Sequence, residues 1–583
     1  MLHTLTRSLR ENKGPALVTV LLSALEVVFE IVIPLFMSNL IDFGIEGGSM
    51  AAVWKFGAFL LLLAAFQLAT GVLAARIAAR ASVGFAANLR EDMYDNVQTF
   101  AFSNIDKFST ASIVTRLTTD TTNVQNAFQM LMRMAIRAPV MLVFSMVVSF
   151  RISRDISMTF LIILPILALA LFFIIRSVFP VFSRVFRTYD ELNNVVQENV
   201  RGIRVVKSFN QERHEIGKFG AISERIYQDF SKGERLITLN APLMQFCIYT
   251  CMIIISWLGA KAIIASGNDP ALGLTTGNLT ALITYTMQIL SSLMMLSMVF
   301  AMLTISLSSA RRIAEVLEER SDIPQPEQPV MTVRDGAVDF DHVSFVYASK
   351  ADKKVLDDID LHIHSGETIG IIGGTGASKS SLVQLIPRLY DVTGGKLTLG
   401  GVDVRDYDLD TLRGAVAMVL QKNELFSGTI AENLRWGNEN ATDEELRHAC
   451  KLACADEFIS AMPDGYDTHI EQGGTNVSGG QKQRLCIARA LLKKPKVLIL
   501  DDSTSAVDTR TDAQIQQALS TYIPDTTKII IAQRISSVQN ADRIVVLDDG
   551  HIDAVGCHDE LLRTCEIYRE VYESQQKGGE DDA

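Results

Sequence analysis

A chain of 583 residues is too long for one hydrophobic core and predicts several domains. Its formal net charge of −12 argues against a nucleic-acid partner, because binding duplex phosphates requires a concentrated basic surface. Most of the long uncharged runs lie before residue 310, whereas the remainder mixes charges, glycines and apolar runs as soluble α/β domains do. One half of the chain is therefore expected in a membrane and the other in water.

The first half contains six apolar segments that are candidates to cross a lipid bilayer. The third is short when counted from Arg137, so its helix is expected to begin near Met130. Within a membrane domain of residues 1–320, the predicted spans cover approximately residues 15–41, 56–75, 130–150, 156–175, 236–260 and 278–306. These segments predict an all-α, six-helix transmembrane domain in a lipid bilayer.

The links between these segments alternate in length. Residues 76–130 and 176–235 form long polar links with a helical period, and the other links are short. The long links are rich in arginine and lysine, which predicts, for a cytoplasmic amino terminus, that they lie on the cytoplasmic side of a membrane. Their turns, at residues 104–111 and 209–219, are predicted to contact a soluble domain. Ordinary solvated loops are the alternative.

Prolines interrupt residues 321–336, which cannot continue a helix and are predicted to form an extended linker. Residues 337–573 are expected to form the soluble α/β domain. Residues 574–583 are predicted to be a disordered tail.

A glycine-rich loop follows an apolar strand at residues 368–372 and opens a helix. Residues 373–381 nearly match G-x-x-x-x-G-K-[ST], in which backbone N–H groups surround phosphates, the lysine reaches the β and γ phosphates and a hydroxyl holds Mg²⁺. Ser378 replaces the glycine before Lys379, where freedom of φ and a close approach to phosphate favour glycine. The strand, the Lys-Ser pair and a later aspartate together predict nucleotide binding rather than a simple turn.

A second stretch, residues 471–534, places polar residues at strand ends. One apolar strand begins at Lys496 and delivers Asp501 and Asp502 at its tip, and a later strand ends at Gln533. Open α/β sheets bind ligands at the carboxyl ends of their strands. The phosphate site is therefore expected beside these residues.

The order of motifs in the soluble half resembles that of the ATP-binding domain of ABC transporters. The motifs are Phe345-Val-Tyr347, the phosphate loop, Gln421, Val477-Ser-Gly-Gly-Gln481, Asp501-Asp502, Ser505-Ala-Val-Asp508 and the strand that ends at Gln533. With six preceding spans and long cytosolic links, nearly the whole chain resembles a half-size ABC exporter. The resemblance implies a P-loop ABC ATPase domain of α/β fold, with ATP and Mg²⁺ as cofactors.

The resemblance also implies a role for each matching residue. Tyr347 would stack on adenine, and the loop residues that would bind ATP are Gly373, Gly374, Thr375, Gly376, Ala377, Ser378, Lys379, Ser380 and Ser381. The Mg²⁺ site would comprise Ser380, Gln421 and Asp501. The catalytic group of the chain's own site would comprise Asp502, Gln533, Gln421 and Asp508. In this family two ATP-binding domains enclose two ATPs, so the partner's nucleotide would be contacted by Ser478, Gly479, Gly480 and Gln481.

Two positions depart from the family pattern. Asp502 stands where the family has its catalytic glutamate, and Gln533 stands where it has a histidine for the γ-phosphate. Aspartate is one methylene shorter, and glutamine cannot become cationic as charge develops. The chain's own site is therefore expected to bind ATP and hydrolyse it poorly. This pattern resembles one subunit of heterodimeric bacterial ABC exporters, whose partner would carry Glu and His and an altered signature. A homodimer with two slow sites is the alternative.

The transported substrate is less defined by the sequence. Glu26 and Glu30 lie on one face of the first span, where they are expected either to attract a cationic amphipathic substrate or to bond to neighbouring helices. The family resemblance implies export of small amphipathic molecules or drugs by alternating access. Lipid or peptide export is the alternative, and an ATP-gated channel or transport-derived regulator is an alternative of another class.

Overall fold

The computed structural model describes residues 1–269, 273–347, 354–374 and 376–580. The chain forms two compact units. The first unit contains residues 1–98 and 110–319, and the second contains residues 99–109 and 320–583. The short segment 99–109, part of the turn region predicted to contact a soluble domain, therefore belongs to the same unit as the predicted soluble domain.

The first unit is helical. Its α-helices are Leu2–Arg7, Lys13–Asn39, Met50–Gln98, Thr110–Thr115, Thr121–Met130, Ile136–Ile152, Arg154–Arg201, Ile203–Ser208, Glu212–Thr238, Asn240–Ser266 and Thr276–Glu318. Among the described residues, six helical stretches are long and apolar enough to cross a membrane, which confirms the predicted all-α architecture. Many of their apolar side chains face outward, as a lipid environment requires; Leu61 and Ile253 are examples.

The helices differ from the predicted spans chiefly in length. The second and fourth spans continue without interruption to Gln98 and Arg201, because their polar halves keep a helical pattern; Gly84 and Pro180 lie within these helices and do not end them. The third begins earlier than its apolar run, and a π-helical turn at Leu131–Ala135 precedes Ile136–Ile152. The second predicted contact turn lies at the start of the helix Glu212–Thr238.

The outer ends of the first and sixth spans pack closely. A Cβ atom at Gly277 would lie 2.3 Å from the backbone oxygen of Ser38, so only glycine permits this approach. Asp42 accepts hydrogen bonds from the N–H of Gly277 at 2.8 Å and from the hydroxyl of Thr275 at 2.7 Å. The first span thereby satisfies donors at the beginning of the sixth.

Over its described residues, the second unit has three sheets. The strands are β1 Val338–Phe345, β2 Leu356–Ile363, β3 Thr368–Gly373, β4 Gly394–Leu399, β5 Val402–Asp403, β6 Val416–Val419, β7 Gly428–Thr429, β8 His469–Ile470, β9 Val497–Asp501, β10 Thr527–Ile531, β11 Arg543–Asp548 and β12 His551–Gly556. The main sheet has the order β12-β11-β3-β10-β9-β6, and only β12 is antiparallel to its neighbour. An antiparallel sheet has the order β2-β1-β4-β5, and β7 pairs with β8.

The second unit also contains helices. They are Phe102–Lys107, Lys379–Gln384, Leu409–Ala415, Ile430–Arg435, Asp443–Leu452, Asp456–Ser460, Gly479–Leu492, Thr509–Tyr522, His558–Thr564 and Glu566–Glu580. Every residue of β9 and β10 is buried, as continuous apolar runs in a parallel sheet require. Since β3, β10 and β9 are adjacent and parallel, their carboxyl ends meet at one edge of the sheet. This edge brings the phosphate loop, Asp501 and Gln533 together, as the sequence predicts.

The predictions for the linker and for the tail compare differently with the structure. Residues 321–336 form no helix and no strand apart from an isolated bridge between Val330 and Tyr407. The predicted disordered tail begins at residue 574, but the last helix continues through Glu580. Glutamine, glutamate and lysine are good helix formers, and they prolong the amphipathic helix that starts at Glu566. Residues 581–583 lie outside the described residues.

Candidate nucleotide site

The phosphate loop connects β3 to the helix Lys379–Gln384. At Gly374 and Gly376 an added Cβ atom would meet nothing within 4 Å, so the loop borders open space. Gly376 has a φ of +87°, in the region that favours glycine. Ala377 is buried beneath the loop. Thr375, a predicted ATP-binding residue, lies outside the described residues.

Ser378 occupies a left-handed backbone conformation, with φ +67° and ψ +20°. A residue with a Cβ atom pays about 1–2 kcal/mol for this conformation, whereas glycine does not. The physical reason for a glycine at this position is therefore present in the fold, although the residue is serine.

The side chain of Lys379 is folded into the loop. Its Nζ donates hydrogen bonds to the carbonyl oxygens of Gly373 and Gly374, each at 2.8 Å. Burial lowers the pKa of Lys379, and the nearby carboxylates of Asp501 and Asp502 act in the opposite direction. The ammonium group is therefore held at the loop by backbone carbonyls and is close to two acidic groups.

Ser380 and Asp501 form a pair suited to a magnesium ion. The hydroxyl of Ser380 donates to Oδ1 of Asp501 at 3.1 Å, and Asp501 is 3% exposed. Burial raises the pKa of Asp501, while the Ser380 hydrogen bond lowers it. A hydroxyl and a carboxylate are hard oxygen ligands of the kind that Mg²⁺ prefers. The residues present therefore fit the ion.

Gln421, the third predicted magnesium ligand, bonds elsewhere. Its Nε2 lies 3.4 Å from Oδ2 of Asp502. Nε2 of Gln533 donates to the same oxygen at 2.8 Å. Asp502 is 9% exposed and has a φ of +49°, so its carboxylate is enclosed and fixed by two neutral amides.

One residue of the predicted tail supports this arrangement. Gln575, on the last helix, donates from Nε2 to the backbone oxygen of Gln533 at 2.7 Å. Its Oε1 accepts from the N–H of Ile535 at 2.9 Å. The amphipathic period of residues 566–576 is the sequence signal that predicts a helix here, but it does not identify the strand end that this helix contacts.

The signature residues form the beginning of the helix Gly479–Leu492. Ser478 and Gln481 make a reciprocal capping box, in which each side chain accepts from the other's backbone N–H, at 2.9 and 3.3 Å. Ser478 and Gly479 are exposed. A Cβ atom at Gly480 would lie 2.9 Å from the backbone oxygen of Ala506, so this glycine permits close packing.

Asp508 caps the helix Thr509–Tyr522 and accepts from the N–H of Thr511 at 3.0 Å and from its hydroxyl at 2.7 Å. The N–H of Thr511 lowers the pKa of Asp508. Tyr347 is 45% exposed, and its hydroxyl lies 2.8 Å from Oγ of Ser381 on the phosphate-loop helix. The predicted base-stacking ring is thus beside the loop that would hold the phosphates.

The two membrane carboxylates bond to a third span. Nη1 of Arg137 donates to Glu26 at 2.8 Å, and Nη2 donates to Glu30 at 2.6 Å. The sequence leaves two expectations for Glu26 and Glu30, attraction of a cationic substrate or bonds to neighbouring helices. The structure shows bonds to a neighbouring helix. Arg137 is 111 and 107 residues away along the chain, a separation at which sequence periodicity gives no pairing information.

Comparison with known proteins identifies both halves of the chain. Residues 16–294 match the family model described as ABC transporter transmembrane region, and residues 356–505 match the model described as ABC transporter. An ABC ATPase domain implies ATP binding and hydrolysis coupled to transport.

Similar proteins extend over nearly the whole chain. The uncharacterised ABC transporter ATP-binding protein YfiB of Bacillus subtilis is 36% identical over 96% of this chain and 96% of its own length. The uncharacterised ABC transporter ATP-binding protein Rv1273c of Mycobacterium tuberculosis is 33% identical over 99% of this chain and 98% of its own. The structure of a bacterial Atm1-family ABC exporter with ATP bound has a TM-score of 0.82 at 24% identity and covers 97% of this chain and 99% of that one.

The last similarity concerns the fold, which is that of an ABC exporter half. Six apolar helices and bacterial relatives indicate a multi-pass plasma-membrane protein whose ATPase domain is cytoplasmic. The chain belongs to the ABC transporter family.

Proposed function

We propose that this chain is the half of a heterodimeric exporter that binds ATP at its own loop and hydrolyses it slowly. The observation that carries the proposal is the pairing of Asp502 with Gln533 at 2.8 Å. The two residues that depart from the family pattern bond to each other at the end of adjacent strands. The departures therefore form one altered site rather than two independent substitutions.

The chemistry of this pair opposes fast hydrolysis. A general base must be within hydrogen-bond reach of the water that it activates, and a misplacement of about 1 Å can cost about a hundredfold in rate. The Asp502 carboxylate is one methylene shorter than glutamate and accepts from the amides of Gln533 and Gln421. Gln533 is neutral, so it cannot supply the positive charge that stabilises developing phosphate charge.

ATP and Mg²⁺ would be held by residues that keep the family pattern. Lys379 and the loop amides would bind the phosphates, Tyr347 would stack on adenine, and Ser380 with Asp501 would hold the ion. Bound Mg²⁺ neutralises phosphate charge. The function assigned to this chain's own pocket is to retain ATP. The retained nucleotide would hold two ATPase domains together.

The signature residues support a second role. Ser478 and Gly479 are exposed and are positioned by a complete capping box, so they are available to a nucleotide carried by another subunit. A different half-transporter that carries Glu and His would then have the fast site, completed by this chain's residues 478–481. A homodimer would contain two altered sites and no fast one.

The membrane acids bear on the substrate. Glu26 and Glu30 share one guanidinium, so the group of two carboxylates and one cation carries a formal charge of −1. An uncompensated charge inside a membrane domain is costly and is typical of substrate or ion pathways. This residual charge supports a small amphipathic cation as the exported molecule over a neutral lipid or a peptide.

The test compares the full-length chain alone with the chain co-purified with a half-transporter that carries Glu and His. In liposomes the chain alone should hydrolyse ATP slowly, and the pair should move a cationic amphipathic dye uphill in an ATP-dependent way. The double variant Asp502→Glu with Gln533→His should raise ATPase of the chain alone by about a hundredfold. Glu444→Gln, an exposed change in the same unit, is the control that should alter nothing.

Fast ATP hydrolysis by the unmodified chain alone would contradict the altered site. Dye movement that only dissipates a gradient would instead indicate a channel.

A further inference from the structure

Glu26 and Glu30 share the guanidinium of Arg137 but lie in different surroundings. The side chain of Glu26 is 11% exposed, and that of Glu30 is 24% exposed. A Cβ atom at Gly71, on the second span, would lie 3.3 Å from the carboxylate carbon of Glu26, so this glycine lets the second span pack against that carboxylate. Glu26 is thus enclosed between two neighbouring spans, whereas Glu30 keeps an open side.

A proline changes the backbone bonding at Glu30. Pro34 lies inside the helix Lys13–Asn39 and has no N–H, so the carbonyl of Glu30, four residues earlier, lacks its helical donor. Nε2 of Gln288, on the sixth span, donates to this carbonyl at 3.3 Å. The hydroxyl of Ser145, on the third span, donates to Oε1 of Gln288 at 3.2 Å and so orients the amide. Because an unpaired carbonyl is costly inside a membrane, this arrangement fixes the backbone at Glu30.

The next carbonyl of the first span is held as well. The hydroxyl of Tyr285, a fully buried side chain, donates to the backbone oxygen of Ile31 at 2.6 Å. Tyr285 and Gln288 lie one turn apart on the helix Thr276–Glu318, so the sixth span bonds to two successive carbonyls of the first. The backbone at Glu30 is therefore fixed, and its partly exposed side chain is the part that can change partner.

The charges of the three side chains do not balance. One guanidinium pairs with two carboxylates, Nη1 with Glu26 at 2.8 Å and Nη2 with Glu30 at 2.6 Å, which leaves a formal charge of −1. A cation that approached the open side would reach Glu30, and Arg137 would keep its bond to the enclosed Glu26. A second positive charge on the ligand would have no carboxylate left in this group, and an unpaired charge inside a membrane domain is costly.

We propose that Glu30 is the residue that selects the charge of the exported molecule, and that its carboxylate binds one positive charge while Arg137 remains with Glu26. The substrate class is then a monovalent amphipathic cation rather than a dication or a neutral molecule. The inference rests on the proposed function, which assigns a small amphipathic cation to this group. It adds which carboxylate binds the cation and how many charges the substrate carries.

Dye binding to the full-length chain in nanodiscs tests the proposal, with empty nanodiscs as the background. Ethidium and propidium share one ring system, but ethidium carries one positive charge and propidium carries two. The unmodified chain should bind ethidium about tenfold more tightly than propidium. Glu30→Gln should weaken ethidium binding by about tenfold, because a pair with a partly buried carboxylate is worth more than an exposed one. Glu30→Asp keeps the charge and should restore most of the affinity.

Two double variants with the same net charge separate the position of the carboxylate from the charge itself. Glu26→Gln with Arg137→Gln leaves Glu30 as the charged member of the group and should keep the preference for ethidium. Glu30→Gln with Arg137→Gln leaves the enclosed Glu26 and should lose that preference. Glu234→Gln, a change of an exposed glutamate on the helix Glu212–Thr238, is the control that should leave binding unchanged.

The single variants Glu30→Gln and Glu30→Asp leave the pair of Glu26 with Arg137 intact, so they decide the question if a double variant does not fold. Equal dye preference in the two double variants, unchanged ethidium affinity in Glu30→Gln, or propidium binding as tight as that of ethidium would overturn the inference alone. Absence of ethidium binding to the unmodified chain would overturn it together with the cationic substrate of the proposed function. Fast ATP hydrolysis would contradict the altered site and leave the dye result standing.

Discussion

The two parts of the ATP machinery in this chain use their side chains in opposite ways. Asp502 is enclosed, and its carboxylate is bonded to Gln533 and Gln421. Ser478 is exposed, and the bonds it makes with Gln481 orient it without covering it. The first part is closed on itself, whereas the second is preorganised and remains exposed.

On the proposed function, the difference separates two kinds of position. Those that would serve a nucleotide held by another subunit keep the residues of the family pattern, and those that would hydrolyse the chain's own nucleotide do not. Binding and hydrolysis would then also separate within one pocket. Lys379, Ser380 and Asp501 suit phosphate and Mg²⁺, although the neighbouring Asp502 does not suit fast water activation.

The sharpest test of this comparison is Ser478→Ala against Asp502→Ala in the assembled pair. Loss of the Ser478 hydroxyl should lower steady-state ATPase by about a hundredfold, because it removes a group expected to position the partner's nucleotide. Asp502→Ala should leave most of the activity.

The matched control for Ser478→Ala is Thr442→Ala. Thr442 forms the same capping box with Glu445 on another helix of this unit. Its loss should lower the free energy of unfolding by about 1 kcal/mol without affecting ATPase. If Asp502→Ala lowered ATPase of the assembled pair more than Ser478→Ala did, the division between the two parts would be wrong.

A second prediction concerns pH. Because burial raises the pKa of Asp501, this carboxylate ionises at a higher pH than an ordinary aspartate, and only the ionised form binds Mg²⁺ well. The enhancement of ATP affinity by Mg²⁺ should therefore be present at neutral pH and be lost on acidification through the raised pKa. Below that pKa the loss should approach about tenfold per pH unit.

The measurement is the ratio of ATP dissociation constants with and without Mg²⁺ across a pH series. Asp408→Asn is the control, since Asp408 caps a helix and its pKa is lowered by the N–H of Thr411. This variant should not change the pH dependence of the Mg²⁺ enhancement. If Mg²⁺ still enhanced ATP affinity on acidification down to the ordinary pKa of an exposed aspartate, the role of burial at Asp501 would be contradicted.

The phosphate loop offers a third test. Ser378→Gly removes a Cβ atom from a residue with φ +67°, so the loop should adopt its shape with less strain and bind ATP about fivefold more tightly. The gain in unfolding free energy should be smaller, because glycine also increases the entropy of the unfolded chain. Ser378→Ala keeps the Cβ atom and removes only the hydroxyl. Equal affinity in the two variants would assign the effect to the hydroxyl rather than to the backbone.

The parts that the sequence predicts correctly depend on local patterns. Continuous apolar runs predict β9 and β10, and their parallel pairing places Asp501 and Gln533 at one edge. Contacts between distant segments could not be predicted in this way. The pairing of Arg137 with Glu26 joins separate spans, and the direction of Gln421 toward Asp502 depends on how two loops pack.

The tail differs between prediction and structure in the second unit. The sequence predicts a disordered tail from residue 574. In the structure the last helix continues through Glu580, and Gln575 bonds to the backbone oxygen of Gln533. The sequence of this segment does not reveal a partner elsewhere in the fold.

Gln575 therefore gives the smallest and most specific test of the altered site. Gln575→Ala removes the bonds to the Gln533 oxygen and to the N–H of Ile535, both on the turn that positions the Gln533 amide. ATPase of the chain alone should change by about two- to threefold, since single hydrogen bonds contribute little. ATPase of the assembled pair should stay the same, because in the proposed heterodimer the fast site would belong to the partner. Gln576→Ala, which removes only a bond to the Tyr572 hydroxyl, is the control. A larger effect on the pair than on the chain alone would place this turn in the fast site and reverse the assignment of the two parts.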